Sequence, residues 1–267
     1  MAWTLRISLP RSGSGLAGPD PEIVATALWD LGTTGVAETE RAGGHRELVA
    51  GFATEPAAEA AARAVGGLLG PDAATTVEPA DTSWVDAVPE ATVELGGGRT
   101  VTIEVGPAFG HGAHPTTRLA AALVASITGP GDRVLDLGTG TGVLALVALA
   151  AGADRVVAVE TDPAAAAVAA RNLAAHHDLG PGSAAVVAGA DAVAPGDRGR
   201  FALTVANLVL GDHRLAAADV ADLTAGRGRL VLTGVLAHQT DDLLGLHPGR
   251  TRLDERHDGD WVALVLG

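Results

Sequence analysis

Cysteine, lysine and tyrosine are absent from the 267-residue sequence, and aromatic residues make up only 3% of it. Without cysteine there is no disulfide framework, no thiol nucleophile and no cysteine-ligated metal. Basic residues are scarce: 18, all arginine, stand against 32 acidic ones, for a net charge of −14. A general nucleic-acid binder needs a basic face to displace counterions from phosphates, so direct nucleic-acid binding is not expected. An acidic surface favours cationic partners instead. No uncharged apolar run reaches the ~18 residues of a membrane helix. Met1 is followed by Ala2-Trp3-Thr4 rather than the basic start and apolar stretch of a signal peptide. The expectation is a soluble, cytoplasmic protein. The chain is rich in Ala, Val and Leu, and its 47% apolar content is ample for a core. Its length suits one large domain or two modest ones.

The pattern along the chain favours two. Residues 3–10 alternate as a strand, and residues 11–20 form a Gly/Ser/Pro-rich loop. Ile23, Val24, Ala27 and Leu28 share one face of a helix that Gly32 ends. Strands over 34–40 and 47–53 and an Ala-rich helix over 56–69 complete a small α+β domain, residues 1–70. Scattered prolines place a linker at about 71–90, and a hairpin follows over 92–95 and 100–105. From 106 to 267 strands alternate with helices. The strands fall at 133–137, 155–160, 184–189, 201–207 and 229–235, with closing strands at 251–257 and 261–266. Helices are expected at 115–127, 142–151 and 163–176, and from 212 and 238. Continuous apolar strands between helices imply a mostly parallel sheet covered on both faces, an α/β fold. The last two strands, separated by Gly259-Asp260, must be antiparallel.

The strongest local motif is Val134-Leu135-Asp136-Leu137-Gly138-Thr139-Gly140-Thr141-Gly142. A buried strand runs through three alternate glycines into a helix, which lets backbone approach a ligand where a side chain would clash. A dinucleotide site wants a further glycine where Val143 stands, and a Walker loop needs a lysine. The D-x-G-x-G-x-G form resembles the first motif of class I S-adenosylmethionine-dependent methyltransferases. Glu160, at the end of the next strand, is an acid suited to accept two hydrogen bonds from a ribose cis-diol. An acid at a strand's carboxyl end in this spacing favours that reading over a solvated acid before a helix start, whereas Asp191 is equally an ordinary loop acid or a group within reach of an adenine. Asn207 ends the fourth strand of the α/β domain, where it either caps the next helix or offers its carbonyl to an incoming N–H. His114, Thr116 and Thr117 open a helix, where hydroxyls cap it or bind a carboxylate. His111 and His114 lack the carboxylates of a metal triad, so no metal is expected. His176 and His177 read as the solvated end of a helix, and Trp3, Trp29, Trp84 and Trp261 as packing residues.

Ala108-Phe109-Gly110-His111-Gly112-Ala113-His114-Pro115-Thr116-Thr117, Val205-Ala206-Asn207-Leu208 and Leu232-Thr233-Gly234-Val235-Leu236 together resemble the ribosomal protein L11 methyltransferase family, PrmA. The resemblance covers about residues 104–267, with departures at His111, at Glu160 and at Leu210-Gly211-Asp212. It implies a Rossmann-like class I methyltransferase domain with a seven-stranded sheet, preceded by a small domain that holds a protein substrate. It implies S-adenosylmethionine as cofactor, with Thr117, Gly138, Glu160 and Asn207 as contacts and Asp136, Gly140, Gly142 and Asp191 around them. The acceptor it implies is a large-subunit ribosomal protein, methylated on lysine or N-terminal amines. Asn207 would orient the amine and Phe109 would wall its pocket. Two alternatives stay open: a small-molecule or other peptide acceptor on the same scaffold, and a non-catalytic S-adenosylmethionine-binding or assembly protein.

Overall fold

The computed structural model describes residues 3–9, 21–33, 35–41, 45–69, 74–79, 90–96, 98–105, 108–110, 112–180 and 182–267. The chain divides into two compact units, Met1–Ala87 and Val88–Gly267.

The first unit contains β1 (Trp3–Leu9), α1 (Pro21–Asp30), β2 (Gly35–Arg41), β3 (His45–Phe52), α2 (Glu55–Gly66) and β4 (Ala74–Pro79). The strands form one antiparallel sheet in the order β2-β3-β1-β4. Period-two alternation buries Leu5, Ile7 and Leu9 of β1 with Leu48, Ala50 and Phe52 of β3. Val24 and Leu28 of α1 and Ala58, Ala61 and Val65 of α2 close that core. Strand β4 corrects the expected linker. Residues 74–79 pair with β1, from Ser8 opposite Ala74 to Trp3 opposite Pro79. The β-branched run Thr75-Thr76-Val77 suits a strand, and Pro79 merely ends it. The small domain therefore runs past residue 70. Trp84 and His111 lie outside the described residues.

The second unit opens with a hairpin, β5 (Glu90–Gly96) and β6 (Arg99–Glu104). Expected between the domains, it instead belongs to this unit's core. Val93, Leu95, Val101 and Ile103 are buried with α3 (Pro115–Ile127) and α4 (Val143–Ala150). The seven-stranded sheet is built from β7 (Arg133–Leu137), β8 (Arg155–Val159), β9 (Ser183–Val187), β10 (Phe201–Asn207), β11 (Thr224–Leu236), β12 (Arg252–Asp258) and β13 (Trp261–Leu266). Their order is β12-β13-β11-β10-β7-β8-β9, parallel except where β13 meets β11 and β12. The remaining helices are α5 (Pro163–Ala175), α6 (Leu210–Leu223) and α7 (Thr240–Gly245). All eight residues of α4 are buried, so it lies inside the layer between sheet and hairpin. The strand order reverses between β7 and β10, so their carboxyl ends frame the crevice where ligands bind in open α/β sheets.

At the opposite end of the same strands, Asp197 is 3% exposed and bridges two arginines. It pairs with Arg133 at the start of β7 and with Arg155 at the start of β8, the latter at 3.0 Å. Removing the carboxylate strands two guanidinium groups that are each about one-third exposed. Asp197→Ala should therefore cost less than a fully buried pair, about 1–3 kcal/mol. Urea unfolding is the check, and an unchanged midpoint would show the network to be inert.

Candidate active site

Gly138, Gly140 and Gly142 connect β7 to α4 with φ values of 73, 55 and 84 degrees. Side chains avoid that left-handed region, and neighbouring groups fill the space a Cβ would need. A Cβ on Gly138 would stand 2.4 Å from Leu208 Cδ2, and one on Gly140 would stand 2.3 Å from the Phe109 carbonyl oxygen. The same carbonyl accepts from Thr141 N at 2.9 Å, while Thr141 Oγ1 donates to the Gly110 carbonyl at 2.7 Å. The glycine turn and the segment 108–110 are thus locked together.

Asp136 supports the turn from beneath. It is 1% exposed; its Oδ2 accepts from Thr139 Oγ1 at 2.5 Å and from Ala145 N at 3.1 Å. Its Oδ1 is buried without a hydrogen-bond partner. Burial pushes its pKa up to about 7, against the two hydrogen bonds that pull it down; the nearby Glu160 charge adds to the rise.

Glu160, just beyond β8, joins the same turn. Its Oε2 accepts from Gly140 N at 2.9 Å, and its Oε1 from Thr161 N at 2.8 Å and Asp162 N at 3.1 Å. It is half-buried. The helix start is capped by Asp162 instead, whose Oδ1 accepts from Ala164 N. Asp191 lies in a short 3-10 turn, Ala190–Ala192, beyond β9 and is exposed.

The segment before α3 is held by rings. Phe109 and His114 meet edge to face at 5.2 Å, and His114 and Trp261 at 5.0 Å. His114 caps α3, its Nδ1 accepting from Thr116 N at 3.3 Å. Thr117 is 1% exposed, and its Oγ1 has no partner. Asn207 ends β10 opposite Thr233. It is half-buried, and the following helix is capped by Val209 without a side-chain bond. The helix-cap reading of Asn207 therefore fails.

Asn172 on α5 escaped the sequence reading. It is 2% exposed, and its Nδ2 donates to the carbonyls of Glu104 and Thr141 at 2.8 Å each. Its Oδ1 accepts from Glu104 N at 2.8 Å, so one amide ties β6 to the glycine turn. The available signal was its place on the buried stripe of Ala165, Val168, Ala169 and Leu173. His176, expected to be solvated, is half-buried and bonds the Thr102 carbonyl at 2.8 Å. Among the described residues no group of three or more His, Asp or Glu could hold a metal ion.

The Asp136 shift carries a stability prediction. A raised folded-state pKa makes its contribution full below about 4 and lost as pH rises through about 7. His213, buried on α6, works in the opposite sense, because burial lowers its pKa to about 4. Comparing wild type with Asp136→Asn isolates the acid. The wild-type protein should lose stability relative to the variant as pH rises from about 4 to about 8, by on the order of 4 kcal/mol. Parallel denaturant midpoints across that range would refute it.

Comparison with known proteins agrees with this geometry. The profile of the family Ribosomal protein L11 methyltransferase (PrmA) matches residues 80–267. The ribosomal protein L11 methyltransferase of Burkholderia vietnamiensis is 35% identical over 186 residues, covering 68% of this chain and 57% of that protein. That of Burkholderia mallei is also 35% identical over the same length. The chain thus spans somewhat more than half the length of these relatives. The crystal structure of the ribosomal protein L11 methylase of Lactobacillus delbrueckii subsp. bulgaricus shares the fold, with a TM-score of 0.57 at 20% identity. The match covers 66% of this chain and 98% of that one. With the glycine turn, residues 108–110 locked to it and Asn207 all in the matched region, the chain belongs to the ribosomal protein L11 methyltransferase (PrmA) family.

Proposed function

We propose that the protein is an S-adenosylmethionine-dependent methyltransferase acting in the cytoplasm on amino groups of ribosomal protein L11, lysine side chains or the N-terminal amine. One observation carries the reading: the glycine turn, the segment before α3 and the end of β10 leave polar groups that no atom of the described residues satisfies. Thr117 Oγ1 and Asp136 Oδ1 are buried and unpartnered, and the Asn207 side chain makes no hydrogen bond among the described residues. Buried polar groups are normally paired, so such atoms fit a bound polar ligand. Glu160 accepts three backbone N–H bonds and has lone-pair capacity left for ribose hydroxyls. Asp191 would lie toward the adenine.

When bound, S-adenosylmethionine supplies a methyl group on an already activated sulfonium. The chain's task is to hold a neutral amine in line with that carbon. A lysine amine, pKa ~10.4, arrives protonated, and a desolvating crevice favours its neutral form. Asn207 Oδ1 accepts an N–H of the neutral amine and so aims its lone pair. Phe109 walls the site, and its ring attracts the ammonium as it forms. The net charge of −14 suits a basic ribosomal protein. The first unit, with its separate core, is the natural holder of that protein.

Intact-mass measurement of ribosomal protein L11 after incubation tests the function directly, and an unmodified acceptor beside active methylation of another peptide would reassign it. Asn207→Ala should cut turnover by ~10²-fold while cofactor affinity falls far less, because the contact is made mainly in the transition state. Asn207→Asp should regain activity as pH rises, since its carboxylate favours the unreactive ammonium. Glu160→Ala should weaken calorimetric cofactor binding at least tenfold, for bonds worth roughly 1.5–3 kcal/mol. A chain beginning near residue 88 should still bind cofactor yet fail to methylate ribosomal protein L11; full-length rates from it would remove recognition from the first unit.

A further inference from the structure

We propose that His213, in the first turn of α6, is a positioning residue that holds Asn207 in register by binding the carbonyl of Thr233. Thr233 stands opposite Asn207 in the parallel pairing of β10 and β11. Its carbonyl accepts Leu208 N at 3.0 Å and His213 Nε2 at 2.9 Å, while its own hydroxyl donates to the Val262 carbonyl at 2.7 Å. The backbone of Leu208 rests on Gly234, where a Cβ would come within 2.3 Å of the Leu208 oxygen. Its side chain presses on Gly138 of the glycine turn. The exit of β10 is thus gripped on three sides, and His213 closes the grip from α6.

Packing alone does not account for an imidazole here. His213 is 1% exposed on a helix whose other buried residues are Leu210, Val220 and Leu223. A leucine would fill such a site without the cost of burying a polar ring. The ring is held neutral, and a bond to a carbonyl requires its proton on Nε2. What histidine adds over leucine is this donor, aimed at the one carbonyl that also holds the residue after Asn207.

The inference rests on the reading of Asn207 as the group that orients the amine, and the experiment separates the two. In the full-length protein, His213→Leu should lower kcat for methyl transfer to ribosomal protein L11 by ~10-fold. KM for ribosomal protein L11 and the calorimetric Kd for S-adenosylmethionine should change less than about twofold. His213→Gln, whose amide can reach the same carbonyl, should recover most of the rate. In an Asn207→Ala background, His213→Leu should cost nothing more. A second readout needs no acceptor: His213→Leu should speed hydrogen exchange at the Leu208 amide by ~10-fold and multiply the Asn207 side-chain amide signals in NMR, and His213→Gln should reverse both. If His213→Leu does not fold, His213→Asn, too short to reach Thr233, takes its place. Normal kcat with unchanged Leu208 exchange overturns the proposal, even where the unfolding midpoint falls. Normal turnover by Asn207→Ala overturns the reading of Asn207 instead, and Leu208 exchange still judges His213.

Discussion

The Phe109 carbonyl pressed against Gly140 is the contact on which the candidate site depends. It accepts Thr141 N at 2.9 Å and fills the place of a Gly140 Cβ. A side chain at 140 would be excluded twice, by this oxygen and by a φ of 55 degrees. Through that contact the sheet's central turn sets the position of Phe109, and the ring contacts through His114 reach on to Trp261. Asn172 secures the arrangement from behind, with three hydrogen bonds to Glu104 and Thr141.

Around this interlock lie polar atoms in settings that range from the buried Asp136 and Thr117 to the half-buried Glu160 and Asn207. Glu160 accepts the Gly140 N–H of the turn, and Asp136 organises the turn's base. Because Asp136 is so deeply buried, its charge is held only weakly at neutral pH. A polar ligand satisfying the spare oxygens of Asp136 and Thr117 would remove an existing cost as well as add contacts. The glycine turn is thus a braced structure rather than an open loop.

The strand ends supply the second half of the site by a different route. Leu208 is wedged between Gly138 and Gly234, so the exits of β7, β10 and β11 share one packing problem. Leu210 lies in the apolar cluster with Leu232 and Val235 and steadies the first turn of α6. The geometry of Asn207 is thereby a property of three strands and a helix together.

Much of this was readable in the chain itself. Continuous apolar strands alternating with helices foretold the parallel sheet, and Gly138-x-Gly140-x-Gly142 foretold a tight turn, because both follow from local sterics and periodicity. Phe109, His114-Pro115-Thr116-Thr117 and Asn207 were singled out by a resemblance to a family, not by local sterics. Strand β4 was missed because its pairing with β1 joins residues far apart in sequence, and scattered prolines masked its short β-branched run. The hairpin's allegiance to the second unit depended on burial against α4, which no local pattern encodes. Asn172 and His213 resemble ordinary polar residues on helices until folding brings Glu104, Thr141 and Thr233 to them. Where the chain must turn tightly follows from local spacing; which side chains brace that turn depends on partners that only long-range packing assembles.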